Sequence, residues 1–123
     1  MIYISTGGFK TQAFEEVITY LNGYGINAFE LSGGLYSKGI KEKLLNLSLL
    51  YNLAIHNYFP PHQTPFVFNL ASLNKGIAEI SVNHAKLAID YASSIGSRFY
   101  SFHAGYLIDP RVNELGEKID RRL

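Results

Sequence analysis

Apolar positions along the chain follow two alternating rhythms. Short β-prone runs at residues 2–5, 26–31, 53–57 and 98–103 are separated by stretches in which apolar residues recur every three or four positions. Phe14, Val17, Ile18 and Leu21 make the first helical stripe, and Gly23 and Gly25 close it, where glycine accepts a left-handed cap. Residues 40–50 carry a second stripe, Ile40, Leu44 and Leu47, widened by Leu45, Leu49 and Leu50, with Lys41, Glu42 and Lys43 on the outer side. The third stripe, over residues 73–95, runs through Ile77, Ile80, His84, Leu87, Ala88, Tyr91 and Ile95 and predicts the longest helix. Asp109-Pro110 then leads into a polar tail that reads as a fourth helix begun. Strand and helix alternate four times, which predicts an α/β domain with a parallel sheet and right-handed crossovers.

The connection from Tyr58 to Ser72 holds Pro60, Pro61 and Pro65 and cannot be regular helix. Its 15 residues exceed what a β-to-α turn needs, and such excess is commonly functional. Ser72 reads as the cap of the helix that follows. Asn69 reads as a residue that pins the loop through its own backbone. The Gly7-Gly8 and Gly33-Gly34 pairs are tight turns, matching neither a dinucleotide fingerprint nor a phosphate-loop spacing.

Composition narrows the classes. Eleven Lys and Arg against ten Asp and Glu leave a net charge of +1, which is no nucleic-acid footprint. The one basic cluster, Lys118 with Arg121 and Arg122, is interleaved with Glu117 and Asp120 and reads as a solvated helix face. The absence of cysteine removes disulfides and thiolate chemistry and fits a cytoplasmic chain. Met1-Ile-Tyr-Ile-Ser-Thr6 lacks the charged start and long apolar core of a secretory signal, and no apolar run reaches the roughly 20 residues of a membrane span. The 123 residues read as a single domain.

Candidate chemistry gathers at the strand ends. His56 closes Leu53-Ala-Ile-His56, and His103 closes Phe99-Tyr-Ser-Phe-His103. Each strand then delivers an imidazole to its C-terminal tip, where a β/α barrel builds its active site. One βα unit separates them, so they stand on adjacent strands at one rim, able to share a divalent metal. Glu30, a carboxylate inside the apolar run Phe29-Glu-Leu31, is a candidate pocket or catalytic residue, because an unpaired charge there is costly. Tyr3, Tyr58 and Tyr106 lie near strand ends, where an aromatic can wall a sugar-sized pocket. His62 reads as an exposed loop histidine, and His84 as a satisfied core or interface histidine on the apolar face of the long helix.

The succession Phe29-Glu-Leu31, His56-Asn-Tyr58, Asn69-Leu-Ala-Ser72 and Tyr100-Ser-Phe-His-Ala-Gly105 resembles the xylose isomerase-like TIM-barrel superfamily, and most of all its endonuclease IV branch. The resemblance implies a (β/α) TIM-barrel type fold of which residues 1–123 supply about four βα units, the N-terminal half. It also implies that His56 and His103 are metal ligands (Zn, Mn or Mg), with the remaining ligands and the catalytic base in the other half. The expected activity is that of a metal-dependent sugar or sugar-phosphate isomerase or epimerase. The alternatives are an endonuclease IV-like phosphodiesterase and a non-catalytic half-barrel that pairs with itself or a partner chain. This stretch alone is expected to be inactive, and its even charge disfavours a nucleic-acid substrate, whose phosphates must be neutralised.

Overall fold

A computed structural model of the chain describes residues 1–9 and 11–115. Four parallel strands, β1 (Ile4–Ser5), β2 (Ala28–Leu31), β3 (Asn52–His56) and β4 (Tyr100–Ser101), form one open sheet in the order β1-β2-β3-β4. Helices α1 (Phe14–Asn22), α2 (Ile40–Ser48) and α3 (Lys75–Ser94) connect them in turn. The α/β alternation and the parallel sheet are as the hydrophobic rhythm predicts. The outer strands are shorter than predicted, two residues each where runs at 2–5 and 98–103 were expected. Each of them pairs on one side only, whereas β2 is paired along all four of its residues with β3. Val112–Glu114 forms one 3-10 turn at the place of the predicted fourth helix. The cluster of Lys118, Arg121 and Arg122 lies outside the described residues.

Strand order matches chain order, so right-handed crossovers place every connecting helix on the same side of the sheet. Strand pleating then sorts residues between two unlike faces. Phe29 and Leu31 of β2 and Leu53 and Ile55 of β3 point to the helices and join Phe14, Val17, Ile18, Ile40, Leu44, Ala88 and Ala92 in one core. Phe59, from the loop after β3, completes it by meeting Phe14 edge to face at 5.2 Å. The alternate residues, Ser5, Glu30, Ala54, His56 and Ser101, fall on the other face.

Local chemistry fixes the helix ends. Asn74 caps α3 by accepting from the N–H groups of Gly76 (2.9 Å) and Ile77 (3.3 Å). Ser72, predicted to be that cap, sits two residues upstream, where its hydroxyl accepts from Asn74 N and donates to Asp109. Asn74→Ala is therefore expected to cost about 1 kcal/mol, measurable as a lower urea midpoint with unchanged slope. Gly34 has φ +105°, and a Cβ there would stand 3.0 Å from the Gln12 carbonyl that Leu35 N uses, so glycine lets the β2–α2 loop lie against the start of α1. Glu15 of α1 pairs with Lys43 of α2 and accepts from Ser37. Partial burial pushes the Glu15 carboxyl up, but the hydrogen bonds from Lys43, the backbone and Ser37 outweigh it and hold it below its usual range.

Candidate functional site

The pleat that buries Leu53 and Ile55 turns Ala54 and His56 to the face that none of the described helices covers, and His56 stands at the C-terminal end of its strand. Its register partner on β4 is Ser101, and the two are bonded, His56 Nδ1 to Ser101 Oγ at 3.0 Å. Two residues beyond Ser101, His103 brings its ring to 5.4 Å from that of His56, nearly perpendicular at 74°. The strand tips therefore present the two imidazoles as one pair. In the tautomer whose Nδ1 donates to the serine hydroxyl, Nε2 is bare, the arrangement that orients a histidine for a metal. Serine fixes the ring as a neighbouring carboxylate or carbonyl does elsewhere.

Glu30 occupies the same face, half-buried, and pairs in register with Ala54, so it lies one pleat below His56 on the next strand. Among the described residues it makes no hydrogen bond or ion pair. Neither does any group of three His, Asp or Glu side chains come together among them that would enclose a metal ion. Two imidazoles suit part of the sphere of a borderline divalent ion, and any carboxylate donor has to come from elsewhere.

The backbone beneath the pair is held by Asn57, which has a left-handed φ of +46°. Its N–H donates to Ser101 O at 2.7 Å, and its side-chain oxygen accepts from His103 N at 3.4 Å. Its carbonyl accepts from Tyr100 Oη at 2.8 Å and from His84 Nε2 at 3.2 Å. Burial pushes the Tyr100 hydroxyl up to about 12, so it stays a donor. His84 is a satisfied core histidine, as the helical stripe predicts: 1% exposed, it stacks on Tyr58 and meets Phe66 and Phe68 edge to face.

His62 differs from the expectation of an exposed loop residue. It is half-buried and bonded through Nε2 to His84 Nδ1 at 3.0 Å, which docks the proline-rich loop on α3. Tyr58 belongs to the same cluster and its hydroxyl accepts from Phe66 N, so it is packing rather than a pocket wall. Tyr3 lines a cavity of about 250 Å³ at the opposite, N-terminal end of the strands, with Tyr51, Arg98 and Phe99, far from the imidazole pair in the sheet.

Asn69 ties the loop to the segment after β4. Its side-chain oxygen accepts from the N–H groups of Ala71 (3.1 Å) and Tyr106 (2.9 Å), and its amide donates to Asp109 Oδ1 at 2.7 Å. The predicted local pinning is there, and the link to residues 106–109 adds to it. Gly105 makes the approach possible, since a Cβ there would run into the Asn69 oxygen and the Ala71 side chain and N–H. No helix among the described residues is long and apolar enough to cross a membrane.

Comparison of the chain with protein-family models, with curated proteins and with solved structures gave no match.

Proposed function

We propose that the face left open by the described helices is the wall of a metal-dependent sugar or sugar-phosphate isomerase or epimerase site, with His56 and His103 as two of the ligands of a divalent ion. The observation that carries this reading is the paired strand-tip imidazoles, ring to ring at 5.4 Å, one of them oriented through Nδ1 by Ser101. The one-sided layering supports it: a sheet of four strands whose order equals chain order, with the described helices on one face and Ser5, Glu30, His56 and Ser101 on the other, is what about half of a (β/α) barrel would present. In a barrel the polar face turns inward and the C-terminal rim carries the chemistry.

The ion, when bound, would lower the pKa of a substrate C–H or O–H by drawing charge from the adjacent oxygen. His56 and His103 hold it, Ser101 keeps the His56 ring in register, and Asn57 keeps the two strand tips together. Glu30, without a hydrogen-bond or ion-pair partner among the described residues, takes a substrate hydroxyl as a hydrogen-bond acceptor. The carboxylate ligands and the base come from outside the described residues.

The test is cobalt or zinc titration followed by calorimetry and visible absorption. Wild type is expected to bind, Ser101→Ala to bind about tenfold more weakly, and the His56→Ala/His103→Ala double variant to show background only. A wild type indistinguishable from the double variant would sink the metal reading. Solvent deuterium incorporation into aldose and ketose phosphates, measured with the segment that supplies the carboxylate ligands and base present and lost in the double variant, separates the isomerase reading from simple metal binding.

A further inference from the structure

A cleft of about 450 Å³ opens between the β2–α2 loop, the Pro60–Gln63 stretch of the loop after β3, and α3, and it contains none of the residues of the imidazole pair at the sheet rim. Its walls include Tyr36, Ser37, Lys41, His62, Gln63 and Tyr91, and no carboxylate is among them. His62 enters this cleft already bonded to a buried partner.

The hydrogen-bond network assigns the protons of that pair. The Asn57 carbonyl only accepts, so the 3.2 Å contact makes His84 Nε2 the N–H donor. Burial holds His84 down to about 4, hence it is neutral near pH 7 and its Nδ1 is a bare acceptor. The 3.0 Å contact between the rings then requires His62 to donate through its own Nε2–H. What remains on His62 is Nδ1, a lone pair without a partner among the described residues. One ring nitrogen held by a fixed acceptor and the other left free is how an acid–base histidine is oriented. Protonation at Nδ1 leaves every bond of the network intact and strengthens the one to His84, because a charged donor makes the stronger hydrogen bond.

We propose that His62 is the acid–base group of a second binding site, in this cleft, for a small ligand that presents a phosphate or carboxylate oxygen to Nδ1, with Lys41, Tyr36 and Tyr91 lining the same cleft. The proton balance is simple. A ligand O–H bonded to Nδ1 gives up its proton to form the imidazolium and a ligand oxyanion, and the reverse transfer returns it. The titratable groups around the pair and its cleft, among the described residues, are Lys41 from α2, Tyr36 from the loop before it, His84 and Tyr91 from α3, Tyr58 from the loop after β3, and behind Ser37 the Glu15 carboxylate of α1, which is ion-paired to Lys43. Lys41 favours an anion in the cleft. A bound anion stabilises the imidazolium and opposes the partial burial that pulls the His62 pKa down.

Nitrogen-15 NMR of the full chain reads this directly, with inorganic phosphate and acetate as probes. The free protein is expected to show both His62 and His84 as Nε2–H tautomers at neutral pH. One probe or both should shift the His62 ring signals saturably and raise its titration midpoint by about one unit. Response to phosphate alone or to acetate alone identifies which oxyanion the cleft takes. In His62→Gln the response at Lys41 and Tyr91 should vanish, while cobalt binding at the rim stays as in wild type. A His62 with its proton on Nδ1, no response to either probe, or an unchanged response in His62→Gln would each overturn the proposal. Should His62→Gln fail to fold, the tautomer and midpoint of the wild type decide alone. The rim reading has its own readout in cobalt, so either proposal can fail without the other.

Discussion

Asn69→Ala is expected to destabilise the fold by about 2–4 kcal/mol and to lower Tm by roughly 10 °C or more. Asn69 is 1% exposed, and its carboxamide joins the Ser72 hydroxyl in tying the loop after β3 to Asp109. Truncation removes the acceptor for two N–H groups, those of Ala71 and Tyr106, and strips a donor from the Asp109 carboxylate. Three hydrogen bonds are lost together, each contributing about 0.5–1.5 kcal/mol and the one to the charged Asp109 more, and the buried Asn69 side chain leaves a gap behind it. The segment that follows His103 would lose its anchor, so cobalt affinity should fall along with stability. Asn69→Asp should be no better, since it sets two carboxylates against each other. Adding Asp109→Asn to it restores one donor facing one carboxylate, and thermal melts of the two singles and the double should show recovery. Strict additivity of the two single losses would rule out the direct pairing.

Acidification is expected to weaken folding by up to about 3 kcal/mol between pH 6.5 and pH 4, before most carboxylates titrate. The responsible group is His84. In the unfolded chain its imidazole takes a proton near 6.5, whereas in the folded protein burial, and to a smaller degree the nearby His62, hold it neutral down to about 4. Within that window the unfolded state binds the extra proton, so lowering the pH pulls the equilibrium toward it, and above 6.5 nothing further is gained. His62, lowered by its partial burial, acts in the same direction. Glu15 also loses stabilising contacts on acidification, but its lowered carboxyl confines that loss to pH values below about 4.5. Urea titrations from pH 7.5 to 4 measure the slope. A His84→Leu variant should be less stable at neutral pH, with a flatter profile between 6.5 and 4. An equally steep profile in the variant would assign the effect to other groups.

The elements built from periodic burial were legible from the residues alone. Phe14, Val17, Ile18 and Leu21 all enter the core, and α3 runs from Lys75 to Ser94 within the predicted 73–95. His56 and His103 meet at the rim because pleat parity and the parallel register are both local rules. What stayed hidden was pairing across distance. The bond of His62 to His84 spans 22 positions, and that of Asn69 to Asp109 spans 40. No periodicity encodes which loop residue reaches which helix face. The cap lies at Asn74 rather than Ser72 for a related reason: both residues offer an acceptor oxygen, and the Ser72 hydroxyl is engaged with the distant Asp109.

The monotone strand order has a consequence for how the chain acquires its structure. Each described strand after the first pairs with the one made just before it, so none of them waits for a segment synthesised later. Growth can proceed from the N-terminus in units of one strand and one helix, each docking on a surface already formed while the ribosome is still extending the next. At every stage the nascent sheet ends in an unsatisfied edge. That edge is a template for the following unit during synthesis, and it is also the surface a chaperone would have to shield whenever translation pauses.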